Sequence, residues 1–170
     1  MGTLHMTRDS LETLAARSGQ CLKERGMRLA TAESCTGGWV SMAVTAVPGS
    51  SDWFERGFVS YSNDAKREML GVRGETLIAQ GAVSEAVARE MAEGALRQSR
   101  ADVSIAVTGI AGPAGGTPSK PVGTVCIAWA GPASLTRSGT YRFDGDREAV
   151  RAQSVATALQ GLVKLLEDEA

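Results

Sequence analysis

Residues 29–40 read LATAESCTGGWV, and how this stretch divides decides the fold. Leu29 to Glu33 is short and rich in small residues, the pattern of a buried strand. Ser34 opens a turn. The run CTGGWVSMAVTAV that follows predicts a helix over 35–47, ended by Pro48 and Gly49. Strand, turn and helix in that order open an α/β unit, so the rest of the chain is read for more of the same.

The alternation continues on both sides. Upstream, Asp9 or Ser10 caps a helix whose Leu11, Leu14, Ala15, Ser18 and Leu22 share a face, and Gly26 stops it. Downstream, WFERGFVSYSN reads as a strand and DAKREML as a short helix capped by Asn63 or Asp64. Ser84 caps a longer helix with Val87, Ala88, Met91, Ala92 and Ala95 on one stripe. ADVSIAVTG is nearly apolar and predicts a central strand. A Gly/Pro loop, GIAGPAGGTPSKPVG, separates it from GTVCIAWA and LTRSGTYRF, two strands read as a hairpin across GPAS. A long helix from about Asp146 closes the chain on Val150, Val155, Ala158, Leu159, Leu162 and Leu166. The expected fold is a single-domain layered α/β sandwich, its mostly parallel or mixed sheet flanked by helices. The domain is placed at 7–170, with MGTLHM (1–6) read as an expression-vector remnant that intact mass of the natural product would check.

With 170 residues and 43% hydrophobic content the chain can bury a sizeable core. A formal net charge of −1 with interspersed signs offers no basic excess for a nucleic-acid backbone. No apolar run reaches the roughly 18 to 20 residues of a membrane span, and no secretory leader is evident. Cys21, Cys35 and Cys126 form no CxxC pair and have one histidine, His5, to join them. That argues against zinc and against a disulfide framework, and fits a reducing cytoplasm. Neither metal nor cofactor is expected.

Three stretches carry candidate chemistry. At the first turn, Ser34 or Cys35 can serve as a nucleophile. Helix-start N–H groups can stabilise an oxyanion, and Gly37 and Gly38 clear the approach. The plainer alternative makes Ser34 a helix cap and the glycines packing devices. Second, Tyr61 and Lys66 in SYSNDAKRE stand near a strand end. Lysine is a poor base at its usual pKa of about 10.4, and burial brings it toward roughly 7 to 8; alternatively Lys66 is solvated. Third, the Gly/Pro loop lies at the carboxyl edge of the central strand, where open α/β sheets bind ligands. It matches neither a Walker loop nor a dinucleotide fingerprint. Arg147 or Arg151 at the last helix start can hold a phosphate or simply pair on the surface. Without a usable histidine, serine with lysine survives, with or without relay through tyrosine. Cys35 is a competing nucleophile and Glu33 a competing base.

TAESCTGGWV, GFVSYSNDAK, GAVSEAVAREMAEGAL and VTGIAGPAGGTPSKPVGTV together resemble the CinA C-terminal domain family. The match is colinear from about Arg28 to Val125, with a weaker echo in FDGDREAVR. The family includes nicotinamide-nucleotide amidohydrolases, which convert nicotinamide mononucleotide (NMN) to nicotinic acid mononucleotide and ammonia. The resemblance implies catalytic roles for Ser34, Tyr61 and Lys66. It implies oxyanion donors near Cys35 and Thr36, with Gly37 and Gly38 beside them, and nucleotide contacts from Thr108, Gly109, Gly112 and Arg147. It further implies a small-molecule nucleotide as partner, no nucleic acid or membrane, and a homodimer or larger homo-oligomer. Many members carry a further N-terminal domain resembling molybdopterin-binding proteins, and any pyrophosphatase activity of that domain is not expected here. The alternatives are a non-catalytic nucleotide-binding or competence-associated regulatory module, an amidase for another small amide, and a Cys35 thiol enzyme.

Overall fold

Five short segments pair into one mixed sheet, its three inner strands buried and its edge strands partly exposed, and helices cover both of its faces. The computed structural model describes residues 8–169. The segment read as a vector remnant, and His5 within it, lie outside them. In chain order the elements are α1 (Arg8–Glu24), β1 (Leu29–Glu33), α2 (Trp39–Thr45), β2 (Phe54–Val59), α3 (Asn63–Leu70), α4 (Gly74–Gln80), α5 (Glu85–Arg97), β3 (Val103–Gly109), β4 (Thr124–Ala130), β5 (Thr136–Arg142) and α6 (Arg147–Asp168). The sheet order is β2-β1-β3-β4-β5. β1 runs parallel to β2 and β3, while β3–β4 and β4–β5 are antiparallel. The central strand predicted from ADVSIAVTG is the middle one.

Along β3 and β4 side chains alternate between the two faces of the sheet. Val103, Ile105, Val107, Val125, Ile127 and Trp129 face α1, α2 and α6. Ala106, Cys126, Ala128 and Ala130 face α5 and the end of α3. One face is therefore bulky and the other small, which lets the alanine-rich stripe of α5 approach closely. Trp53 and Trp129 are core residues, their rings meeting α1 at Gly19 and α6 at Gly161, positions where any Cβ would collide with them.

Four points differ from the sequence reading. α2 starts at Trp39, because Gly37 and Gly38 take φ of 58° and 104° and hold the preceding turn out of the helix. The α3 cap is Ser62, whose hydroxyl accepts from the Ala65 N–H, rather than Asn63 or Asp64. α4 has no counterpart in the sequence reading. It opens on Arg73 without a side-chain cap, carries glycine at its first position, and leaves Ile78 89% exposed, so it lacks both a start signal and an apolar face. α1 already includes Asp9 and Ser10, so neither is its cap: the helix begins at least as early as Arg8, ahead of both candidates. Ser84 caps α5 as the sequence predicts, and α6 starts where the sequence places it, with Asp146 as its cap.

Candidate active site

Register brings the candidate residues to one edge. Glu33 lies opposite Val59 of β2 and Val107 of β3, so the residues that follow each strand leave the sheet side by side. From β1 the chain crosses to β2 on one side, and β3 then joins on the other. The edge is thus a switch point, where open sheets present a crevice. A cavity of about 330 Å³ opens there, lined by Ser34, Cys35, Tyr61, Asn63, Lys66, Ala82, Val83, Thr108 to Gly112, Ala114, Gly115 and Arg147.

At its floor Ser34 and Lys66 meet. Lys66 is only 2% exposed although it sits in the first turn of α3. Its Nζ lies 3.0 Å from Ser34 Oγ and donates to the main-chain oxygen of Tyr61 at 2.9 Å. The Ser34 hydroxyl is 3.3 Å from that same carbonyl. With Lys66 protonated, the ammonium donates to Ser34 Oγ, and Ser34 donates to Tyr61. With Lys66 neutral, the first bond reverses and the hydroxyl donates to the amine lone pair. Burial pushes the Lys66 amine below its ordinary value of 10.5, with a small opposing contribution from Cys35. The triangle thus holds a hydroxyl against an amine biased toward its neutral form.

Tyr61 enters this triangle through its backbone. Its side chain is 61% exposed and stands at the cavity rim. The structure thus gives the Lys66 contact to the carbonyl of this residue, where the sequence reading weighed only the phenol.

Other assignments change place. Cys35 lines the cavity but is buried, and burial pushes its thiol up to about 12. No helix starts at Cys35 to lower that value, which removes the reason for treating it as the thiolate nucleophile. Thr36, Gly37 and Gly38 are not among the lining residues. Thr36 is fully buried and donates its hydroxyl to Glu33 Oε1 at 2.7 Å. Glu33, itself 1% exposed, also accepts from the N–H groups of Val40 and Ser41 and from Ser41 Oγ, which leaves it no role as a base for Ser34. It is this carboxylate that meets the amides at the start of α2, so the oxyanion donors expected from a helix start at Cys35 are not helix-start groups.

The loop wall is as the sequence places it. Thr108 is buried and donates to the Ala82 carbonyl at 2.9 Å, joining β3 to the segment before α5. At Gly109 a Cβ would press on Val125, Cys35 Sγ and the Thr124 carbonyl, so only glycine passes there. Gly112 has φ of 86°, and its carbonyl accepts from Arg147 Nη1 at 2.7 Å. Arg147 and Arg151, one helical turn apart, separate in role. Arg147 lines the cavity. Arg151 donates to the carbonyls of Cys35 and Thr36 and stacks over Trp39. Asn63, Ala82 and Val83 escaped the sequence reading as lining residues. The last two follow α4, which gave no pattern to place them by.

The geometry provides a hydroxyl, a desolvated amine and a glycine-rich wall with one arginine, suited to acyl transfer on a small anionic substrate. Among the described residues no group of three or more His, Cys, Asp or Glu is placed to share a metal ion, and no helix is long and apolar enough to cross a membrane. A family model described as the CinA C-terminal domain matches residues 11–166. The chain is 55% identical over 157 residues to "Nicotinamide-nucleotide amidohydrolase PncC" of Escherichia coli (strain K12), covering 92% of this chain and 95% of that one. It is 57% identical over 157 residues to a "Putative competence-damage inducible protein" of Symbiobacterium thermophilum, covering 87% of this chain and 37% of that longer one. A solved structure, "competence/damage inducible protein CihA from Agrobacterium tumefaciens", superposes with a TM-score of 0.89 at 47% identity, covering 91% of this chain and 94% of that one.

Proposed function

This chain belongs to the CinA C-terminal domain family, and from that premise we propose that it hydrolyses the carboxamide of NMN to nicotinic acid mononucleotide and ammonia. The observation that carries the chemistry is the 3.0 Å contact between Ser34 Oγ and the buried Lys66 Nζ. Similarity to the Escherichia coli amidohydrolase supports the substrate.

In this scheme neutral Lys66 takes the Ser34 proton as Oγ attacks the carboxamide carbon. The resulting ammonium returns that proton to the leaving nitrogen as the C–N bond breaks, and ammonia departs. A nicotinoyl ester on Ser34 remains. Water attacks it while Lys66 accepts a proton from that water, and the proton passes back to Ser34 Oγ as the ester bond breaks. The Tyr61 carbonyl orients the amine throughout. The Tyr61 phenol, at the rim, is the group the resemblance assigns to proton relay. Arg147 and the backbone of the Gly109–Gly115 loop receive the phosphate, for which a fixed planar donor and glycine-exposed amides are suited. The setting is the cytoplasm, where Cys21, Cys35 and Cys126 stay free thiols. The assembly is a homodimer or larger homo-oligomer, which light scattering checks.

The test is ammonia release from NMN by wild type and by Ser34→Ala. Turnover by wild type that vanishes in a folded Ser34→Ala variant supports both substrate and nucleophile. Retained turnover in the variant refutes the nucleophile. Stabilisation of wild type by NMN without ammonia would instead favour a binding module.

A further inference from the structure

The turn carrying Ser34 is gripped from two sides by groups that touch neither Ser34 Oγ nor Lys66 Nζ. On one side the buried Glu33 carboxylate collects donors from Thr36, Val40 and Ser41. On the other, Arg151 reaches from α6 with Nε 3.0 Å from the Cys35 carbonyl and Nη2 3.2 Å from the Thr36 carbonyl. Its guanidinium lies 5.4 Å from the Trp39 ring centre, which fixes the plane of the fork. An acid holds the donors of the segment and a base holds its acceptors. Each peptide unit is planar, so a carbonyl held by Arg151 also fixes the N–H of the next residue. The Cys35 and Thr36 carbonyls therefore set the directions of the Thr36 and Gly37 amides. Its own backbone bonds are few: Gly37 N–H donates to the Ser34 carbonyl and Trp39 N–H to the Thr36 carbonyl, both at 3.0 Å, and the first helical bond, from Met42 N–H, reaches back only to Gly38, while Gly37 and Gly38 leave the middle of the segment free to move.

We propose that Arg151 is a positioning residue for the reaction, acting with Glu33 as the second jaw of a clamp that holds the Ser34 turn in one conformation. The inference rests on the serine-nucleophile reading above. Arg151 is not among the residues that line the cavity, so its loss acts on the geometry of the nucleophile and its neighbouring amides rather than on substrate affinity. A misplacement on the order of 1 Å at such a group costs about 100-fold in rate.

Arg151→Met keeps an unbranched stem over Trp39 and removes the fork, Arg151→Lys keeps one charged donor, and Thr36→Val loosens only the Glu33 jaw. Two readouts are compared well below each melting temperature: steady-state ammonia release from NMN, and the rate at which a fluorophosphonate probe labels Ser34. Expected for Arg151→Met is a fall in kcat of roughly 10- to 100-fold with KM within about threefold of wild type. Labelling of Ser34 slows by a similar factor, and Arg151→Lys and Thr36→Val fall between. A merely structural arginine would lower the melting temperature and leave kcat and labelling of the folded protein alone. Rates within about twofold of wild type in all three variants overturn the proposal. So does a raised KM with unchanged kcat, which would make Arg151 a substrate ligand. If Arg151→Met does not fold, the other two variants decide on the same criteria. If wild type labels on Ser34 yet releases no ammonia from NMN, the substrate reading fails and the labelling ratios still decide the clamp. A wild type inert to both overturns the nucleophile reading and the clamp with it.

Discussion

Lys66 shows how one side chain can cost stability and serve chemistry. Its Nζ has two neighbours, the uncharged oxygens of Ser34 and Tyr61, so burial of the ammonium is poorly compensated. Burial lowers its pKa from 10.5 in the folded chain. Between the folded and unfolded values the unfolded chain binds more protons, so stability rises with pH across that window. Below the folded value the full penalty remains. Lys66→Met removes both the charge and the base. The variant is expected to release no ammonia and to melt above wild type at neutral pH, its advantage shrinking as pH climbs toward 10.5. Melts of both proteins by circular dichroism across that range test this. An advantage that did not change with pH would show that Lys66 titrates alike in both states. Over the same range kcat of wild type should rise with pH, because the neutral amine is the base. The Ser34–Lys66 pairing was legible in the sequence because both residues follow strand ends and no histidine competes. The Tyr61 carbonyl was not, since every residue has one and only the fold aims it. Nor was the raised pKa of the Cys35 thiol, which comes from burial rather than from its neighbours in the chain.

At the scale of elements, legibility followed the strength of punctuation. α5 has a serine cap, a five-residue apolar stripe and a clear end, and it stands where the sequence puts it. α4 has none of these and escaped notice. The sequence pattern starts α2 too early, because it takes in Gly37 and Gly38, which their left-handed backbone keeps out of the helix. The same logic fails in an instructive way inside α5, at Gly94. A glycine in mid-helix ordinarily gives up about 0.5 to 1 kcal/mol relative to alanine, so propensity alone makes Gly94→Ala stabilising. Here a Cβ would run into the backbone carbonyl of Leu70 at the end of α3, an atom that cannot rotate away. The helices cross at bare backbone, and separating them would disturb the small-residue face of the sheet. Gly94→Ala is therefore expected to destabilise by about 1 to 3 kcal/mol, the usual cost of overpacking. Urea unfolding measures it, and a gain in stability would mean that α3 and α5 can part freely.

In the molecule as a whole, both cores are built on one sheet, and the cavity draws residues from the ends of β1, β2 and β3, from α3 and from α6. No half of the chain holds the site alone, so a ligand that bridges these parts should stabilise the entire fold. The turnover-dead Lys66→Met variant allows this to be read without product forming during the melt. At NMN near 100 times its Kd, linkage adds about 2.7 kcal/mol. For a chain of this size that is a rise in Tm of roughly 5 to 10 °C, in a single transition whether followed by far-ultraviolet dichroism or by the fluorescence of the buried Trp53 and Trp129. Nicotinamide riboside has the same ring and sugar without the phosphate. If Arg147 and the Gly109–Gly115 loop receive that phosphate, the riboside at equal concentration should shift Tm far less, and Arg147→Met should bring the NMN shift down toward the riboside value. Equal shifts from both compounds would instead assign binding to the ring and sugar, and would leave Arg147 only its bond to the Gly112 carbonyl. The comparison works because the loop is tied to α6 at Arg147 while the nucleophile turn is tied to α6 at Arg151. Phosphate contacts at the first are then felt by the helix that holds the second.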